Sequence, residues 1–425
     1  MTLLVFLVSL LGAMAIGVPV AFALMFCGVM LMLHMDMFNA QIVAQNMVTG
    51  ADTFTLLAIP FFLLAGELMN SGGLSKRIIN FALALVGHIK GGLGIVAIFA
   101  AVIMASLSGS AAADTAALAA ILIPMMRQAG YDVPRAAGLM AAGGVIAPVL
   151  PPSLAFIVFG VAANVSISRL FMAGIAPGLM MGCALIFTWL FLTRNSTVAP
   201  LPRRSGKDRL KATGQAAWAL GMPVIILGGI RMGVVTPTEA AVVAAVYAWF
   251  VGTFIYKELS FKDLYSVFLR AAKTTSVIMF LVAAALVSAW LITAANIPAE
   301  LGSLIEPLID RPKLLMLVIM VLVMVVGTAL DLTPTILILT PVLMPIVKMA
   351  GIDPVYFGVM FIMNTCIGLL TPPVGVVLNV VSGVAKVPLG KVVVGVLPFL
   401  FAYIILLFLF VLFPELITVP MRWLS

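Results

Sequence analysis

Long apolar runs divided by short polar breaks make up almost the whole chain. Residues 3–33 form one run, interrupted at Gly17-Val18-Pro19. Proline removes a backbone donor and bends a helix, so this stretch fits either one kinked helix or two short ones. A polar patch at 39–52 precedes a span at 54–70, which leads into Ser75-Lys76-Arg77 and an amphipathic helix that would lie along the membrane surface. Two later runs are broken at their centres: Lys90 to Arg127 at Ser106-Leu107-Ser108-Gly109-Ser110, and Lys313 to Lys348 across Gly327 to Thr335. Each half is short for a hydrocarbon layer about 30 Å thick. Lys90, Arg127 and Arg135 put positive charge at both ends of the first run, so both ends belong on the cytoplasmic side. The pattern predicts two re-entrant helical hairpins with their tips inside the membrane. Non-helical backbone at that depth is tolerated only where it is buried in protein or lines a wet cavity, which makes a Ser/Gly tip a candidate binding surface.

The runs at 136–163 and 356–385 contain Pro151-Pro152 and Pro372-Pro373, each pair without backbone donors, so two discontinuous helices are expected. Further spans are expected at 170–193, 216–232, 239–256, 276–293 and 392–415, with a second amphipathic stretch at 261–275. Thr236-Pro237-Thr238-Glu239 reads as a capped helix start.

At a constant offset of 221 residues, Pro124 matches Pro345, Ala129-Gly130 matches Ala350-Gly351, and Asp132 matches Asp353; Pro151-Pro152, Gly174 and Pro177 match Pro372-Pro373, Gly395 and Pro398. This is an internal duplication. Counting crossings from a cytoplasmic first hairpin places the basic loop 194–213 inside and the second hairpin on the outer face, so the repeats are inverted. Inverted repeats with broken helices at corresponding positions mark secondary transporters that bind substrate near the midplane.

Composition narrows the class further. Of 425 residues 64% are hydrophobic and 9% charged, which excludes a soluble globular enzyme and allows on the order of ten crossings of about 20 residues each. The net charge of +8 sits in short topogenic clusters and does not point to nucleic acid. Cys27, Cys183 and Cys366 lie in apolar segments without disulfide or metal spacing. The apolar start lacks a basic n-region and is expected to be a retained helix. His34 and His88 lie far from the polar tips, and neither Gly-x-Ser-x-Gly nor His-Glu-x-x-His occurs, which leaves an intramembrane enzyme without a nucleophile–base pair. No nucleotide-binding motif is present, so an ion gradient must drive transport; duplicated broken hairpins favour a carrier over a channel.

The tip Ser106 to Thr115, the two Pro-Pro breaks, the Asp331 tip and the amphipathic arms resemble, over essentially the whole chain, the large membrane (M) subunit of a tripartite ATP-independent periplasmic (TRAP) transporter, in the ion transporter superfamily. The overall closeness suggests the sialic-acid type more than the four-carbon dicarboxylate type. The resemblance implies an all-α polytopic membrane protein of the bacterial inner membrane. It also implies sodium-driven import of a small anionic substrate, a small membrane (Q) subunit and a periplasmic substrate-binding (P) protein, with no homodimer. It further implies an elevator. Residues 1–74 and 170–260 supply scaffold helices, 75–89 and 261–275 the arms, and 276–312 a span and connecting segment. The transport domain is 90–169 (hairpin 90–130, broken helix 136–163) plus 313–390 (hairpin 313–348, broken helix 356–385), with a C-terminal span at 391–425.

Sodium wants about five or six oxygens, which unwound carbonyls and half-helix ends supply. One site is expected between Ser106, Ser108 and the loop carrying Ala147, Leu150 and Pro152. Its mate is expected between Gly327 and the loop carrying Gly368, Thr371 and Val374, with two or more ions in all. The substrate is expected between the tips, at Ser108, Ser110, Ser153, Asp331, Thr333 and Thr335. Asp331 stands out because a carboxylate deep in an apolar run is costly and functional by default; a plain helix cap is the competing role. Neither tip carries Arg or Lys to meet a substrate carboxylate. A stand-alone sodium- or proton-coupled anion carrier of the same superfamily remains the alternative.

Overall fold

The computed structural model describes residues 2–297, 300 and 308–424. Among these residues all regular structure is helical, and seven helices are long and apolar enough to cross a membrane. Residues 3–33 divide into two helices, α1 (Thr2–Ala15) and α2 (Val20–His34), because Gly17 takes a φ of 86° just before Pro19. The polar patch folds as α3 (Ala40–Ala51), which Asn39 caps by accepting the Gln41 N–H. A 3₁₀ turn leads into α4 (Ala58–Ser71), and the arm follows as α5 (Leu74–Val86). The apolar face of α5, Leu74, Ile78, Ile79 and Ala82, is fully buried.

Hairpin 1 is α6 (Gly92–Ser108) and α7 (Ala111–Gln128). The first broken helix is α8 (Val133–Gly144) and α9 (Leu154–Ala163), followed by α10 (Ile167–Thr193). Helix α11 (Gly206–Arg231) begins inside the stretch expected to be loop. Ser205 caps it by accepting the Asp208 N–H at 3.2 Å, so Lys207, Arg209 and Lys211 lie on its first turns and the loop shrinks to 194–205. At the start of α12 (Pro237–Phe250) the capping box forms, Thr236 N–H to Glu239 Oε2 at 2.8 Å and Glu239 N–H to Thr236 Oγ1 at 3.3 Å.

The second arm is not a separate helix. Residues 261–275 run straight into the following span as α13 (Phe261–Ala294), 34 residues long, because no glycine or proline interrupts Thr274-Thr275-Ser276. Of the connecting segment, 298–299 and 301–307 lie outside the described residues. Hairpin 2 is α14 (Pro312–Gly327) and α15 (Leu332–Met349); the second broken helix is α16 (Pro354–Gly368) and α17 (Val376–Ala385). The last span, α18 (Leu389–Leu412), stops before Pro414, and α19 (Glu415–Leu424) follows as a short amphipathic helix.

The duplication holds element by element: α7 carried forward by the repeat offset coincides with α15, and both Pro-Pro bonds are cis. Asp132 and Asp353 cap α8 and α16 alike. Packing separates two groups of helices. Helix α13 lies on α2, α3 and α4, α12 lies on α4, and α11 lies on α5, while the groups meet where α13 touches α15 and α5 touches α6. The spans α10, from the stretch 170–260 expected to supply scaffold helices, and α18 pack on the hairpin and broken-helix core. Close approach explains why: a Cβ on Gly138 of α8 would strike the Gly395 backbone of α18, and one on Gly395 would strike the Pro134 carbonyl. The Tyr403 hydroxyl of α18 donates to the Ala142 carbonyl of α8 at 2.7 Å.

Candidate functional site

In the first repeat the chain turns at Gly109, whose φ of 61° suits glycine. A Cβ there would lie 3.0 Å from the Pro152 carbonyl oxygen and 3.4 Å from the Ser153 Cα, so hairpin tip 1 rests directly on the first Pro-Pro break. Around that break the carbonyls of Ala147, Leu150 and Pro152 accept no hydrogen bond among the described residues, whereas Ser153 Oγ donates to the Pro148 carbonyl at 2.5 Å. Three unsatisfied carbonyls beside a hydroxyl-bearing tip are a donor set suited to a hard cation. The Ser106 hydroxyl donates to the Ile103 carbonyl at 2.7 Å, and that of Ser108 to Asp114 Oδ1 at 2.5 Å, leaving lone pairs on both. Asp114 and Thr115 are buried, and Asp114 Oδ2 and Thr115 Oγ1 have no hydrogen-bond partner among the described residues.

In the second repeat the contact is closer still. A Cβ on Gly368 would sit 2.7 Å from the Gly327 carbonyl carbon and 2.8 Å from its Cα, so the end of α14 and the second break meet backbone to backbone. The Gly327 and Thr371 carbonyls accept no hydrogen bond among the described residues; Gly368 accepts from the Thr371 N–H at 2.9 Å and Val374 from Asn379 Nδ2 at 2.7 Å. The Thr371 hydroxyl donates to the Ile367 carbonyl at 2.9 Å, which leaves its oxygen free to accept or to ligate.

Between the two tips lies a cavity of about 530 Å³, within the range of small-molecule sites. Four half-helices begin at its wall: α7 at Ala111, α9 at Leu154, α15 at Leu332 and α17 at Val376. Their free N–H groups and the positive ends of their dipoles favour an anion. Ser110 Oγ caps α7 by accepting the Ala113 N–H at 3.4 Å, and Asp331 Oδ1 caps α15 by accepting the Leu332 N–H at 2.8 Å; the start of α17 at Gly375 has no side-chain cap.

Of the six substrate candidates, Ser110, Asp331 and Thr333 line this cavity. The other three do not. Ser153 is buried and caps α9 through the Phe156 N–H; Thr335 is buried with its hydroxyl on the Asp331 carbonyl at 2.8 Å; Ser108 faces a smaller pocket beside Gly66, Asn70 and Ser75. Asp331 thus serves as a cap and lines the cavity at the same time.

Sequence reasoning missed Lys273 and Thr274, which line the cavity from α13. Lys273 falls inside the stretch 261–275 expected to be an amphipathic arm, which gave it no site role. The signal that could have found it is the unbroken helical register from Lys273 to Leu281, which places both on the same wall two turns apart. A larger opening of about 660 Å³, bordered by Asn46, Thr49, Asn164 and Thr236, lies away from both Pro-Pro breaks and has no charged lining side chain.

Two inverted hairpin and broken-helix repeats enclosing a cavity between their tips define a secondary-carrier fold. The same fold is seen in the Alcanivorax borkumensis YdaH transporter, whose crystal structure superposes with a TM-score of 0.65 over 88% of each chain at 15% sequence identity. Residues 7–416 match the family described as tripartite ATP-independent periplasmic transporter, DctM component, and the chain belongs to that family. It is 58% identical, over the full length of both chains, to the 2,3-diketo-L-gulonate TRAP transporter large permease protein YiaN of Escherichia coli (strain K12). It is 40% identical to the sialic acid TRAP transporter large permease protein SiaM of Vibrio cholerae, over 95% of each chain. It is 38% identical to the C4-dicarboxylate large permease protein DctM of Pseudomonas aeruginosa, over 88% of each. The chain is therefore a multi-pass transport subunit of the bacterial inner membrane and not an enzyme. The expected closeness to the sialic-acid type is corrected: that relative stands well behind the 2,3-diketo-L-gulonate one.

Proposed function

We propose that this chain is the large permease of a sodium-driven tripartite importer that moves a small sugar-acid anion, with 2,3-diketo-L-gulonate the first candidate. The convergence of four half-helix N-termini on one cavity carries the reading, because that arrangement favours a carboxylate and gives a neutral sugar no advantage. The identity to the 2,3-diketo-L-gulonate permease supports the particular anion. Sodium as the coupling ion is supported by the unsatisfied carbonyls of Ala147, Leu150 and Pro152 in one repeat and of Gly327 and Thr371 in the other. Ser106, Ser108, Gly368 and Val374 complete the two proposed ligand sets. Ions bound there would hold each tip against its break and so fix the half-helix ends that face the substrate.

Alternating access is assigned to an elevator. The moving body comprises both hairpins, both broken helices and, by their packing, α10 and α18; α1–α4 and α11–α13 form the framework, with α5 linking the two. Substrate arrives on a periplasmic binding protein, and a small membrane subunit completes the framework. The test is uptake of labelled 2,3-diketo-L-gulonate into proteoliposomes holding this chain with its small subunit. Uptake that requires both an inward sodium gradient and the binding protein supports the reading. Uptake without the binding protein would establish a stand-alone carrier, and uptake without sodium would remove sodium coupling.

A further inference from the structure

The cavity between the tips is lined by one charged side chain of each sign, Asp331 at a tip and Lys273 on α13. Asp331 has the wrong charge to receive a carboxylate. The other basic residue nearby is already committed: Arg270, one turn before Lys273, donates through Nε to Glu67 Oε2 at 2.8 Å and through Nη2 to Ser71 Oγ at 3.0 Å. The Lys273 ammonium takes part in no ion pair or hydrogen bond among the described residues, and the side chain is exposed. Lys273, whose side chain carries three donors and a positive charge, is therefore among the residues lining a cavity at whose wall four helix N-termini also begin.

We propose that Lys273 is a substrate-recognition residue, receiving the carboxylate of the transported anion while the tips bind its remaining oxygens. The inference rests on the reading of this cavity as the anion site. It also gives the recognition a geometry. Helix α13 packs on α2, α3 and α4 and also meets α15 of hairpin 2, and Ser110, Asp331 and Thr333 belong to the hairpins, so the anion is held where the two groups of helices meet. Its carboxylate is met by Lys273 from the framework together with the half-helix N-termini of the moving body, and its hydroxyls by the tip side chains. A lysine present only to orient the helix, or to snorkel to the interface, would be indifferent to the charge of the ligand.

The experiment measures binding of labelled 2,3-diketo-L-gulonate, and of its neutral methyl ester, to the purified complex of this chain with its small subunit in saturating sodium. Wild type, Lys273→Gln and Lys273→Arg are compared, with melting temperature as the check on folding. Lys273→Gln is expected to raise the Kd for the anion about tenfold and to leave that for the ester within about twofold. Lys273→Arg, which keeps the charge, should stay within about threefold of wild type. Salt should weaken anion binding to wild type more than to Lys273→Gln, since the screening length falls from about 10 Å at 0.1 M to about 3 Å at 1 M. Equal anion binding by wild type and Lys273→Gln overturns the assignment and leaves the transport reading standing. Equal losses for anion and ester also overturn it, because the role would then be steric. Failure of the wild type to bind the anion would instead bring down the substrate reading and this inference with it.

Discussion

The two repeats share one backbone plan and bury it to different depths. In the first, Pro151, Pro152 and Ser153 are all buried, and the acid nearest the tip, Asp114, is sealed against Ser108. In the second, Pro372, Pro373 and Val374 are exposed, and the acid is Asp331, itself exposed at the cavity wall. Asp331 occupies the position that Ser110 holds in the first repeat, and each caps the second arm of its hairpin. Duplication therefore supplied the hairpins, breaks and helix ends twice, while the side chains diverged into a half whose break and acid are buried and a half whose break and acid are exposed.

Removing the two acids separately should have unequal consequences. Asp331→Ala is expected to reduce uptake to roughly a hundredth or less with normal membrane expression, as befits a functional intramembrane acid; near-normal uptake would take Asp331 out of the site. Gly368→Ala follows, since its Cβ would meet the Gly327 backbone, which cannot yield as a side chain can. At an overpacking cost of about 1–3 kcal/mol, transport should fall about tenfold or more. The corresponding residue of the first repeat is Ala147, so a variant as active as wild type would mean that the second contact is no tighter than the first.

Smaller effects separate stability from function. Asp114→Ala should lower the melting temperature by removing the buried acceptor of the Ser108 hydroxyl, worth about 1–3 kcal/mol; an unchanged melting curve would contradict a sealing role. Thr371→Val should raise the sodium concentration for half-maximal uptake several-fold, on the order of 1 kcal/mol of ligation, and leave substrate affinity at saturating sodium nearly intact. The smallest change is expected for Ser153→Ala, a lost cap worth about 1 kcal/mol, visible in thermal melting and absent from the KM for substrate.

Much of this architecture was legible because proline and glycine punctuate it: Gly109, Pro151-Pro152 and Pro372-Pro373 break the helices where the sequence says they must. The framework boundaries were less legible. The start of α11 depended on a Ser205–Asp208 cap inside a basic stretch, and the continuity of α13 on the absence of any breaker near residue 275. Side-chain direction was the least legible property. Ser153 and Thr335 sit within two turns of the cavity, yet each turns its hydroxyl to a backbone carbonyl, a local choice that spacing does not reveal. Lys273 was hidden for the opposite reason, since its role depends on which remote elements α13 packs against.

The most direct measurement is an electron cryomicroscopy map of the complex of this chain and its small subunit with 2,3-diketo-L-gulonate and sodium bound. The account predicts ligand density between Ser110, Asp331, Thr333 and Lys273, with ion density at the Ala147–Pro152 carbonyls and beside Thr371. Ligand density in the larger opening near Asn46, Asn164 and Thr236, with the cavity between the tips empty, would contradict it.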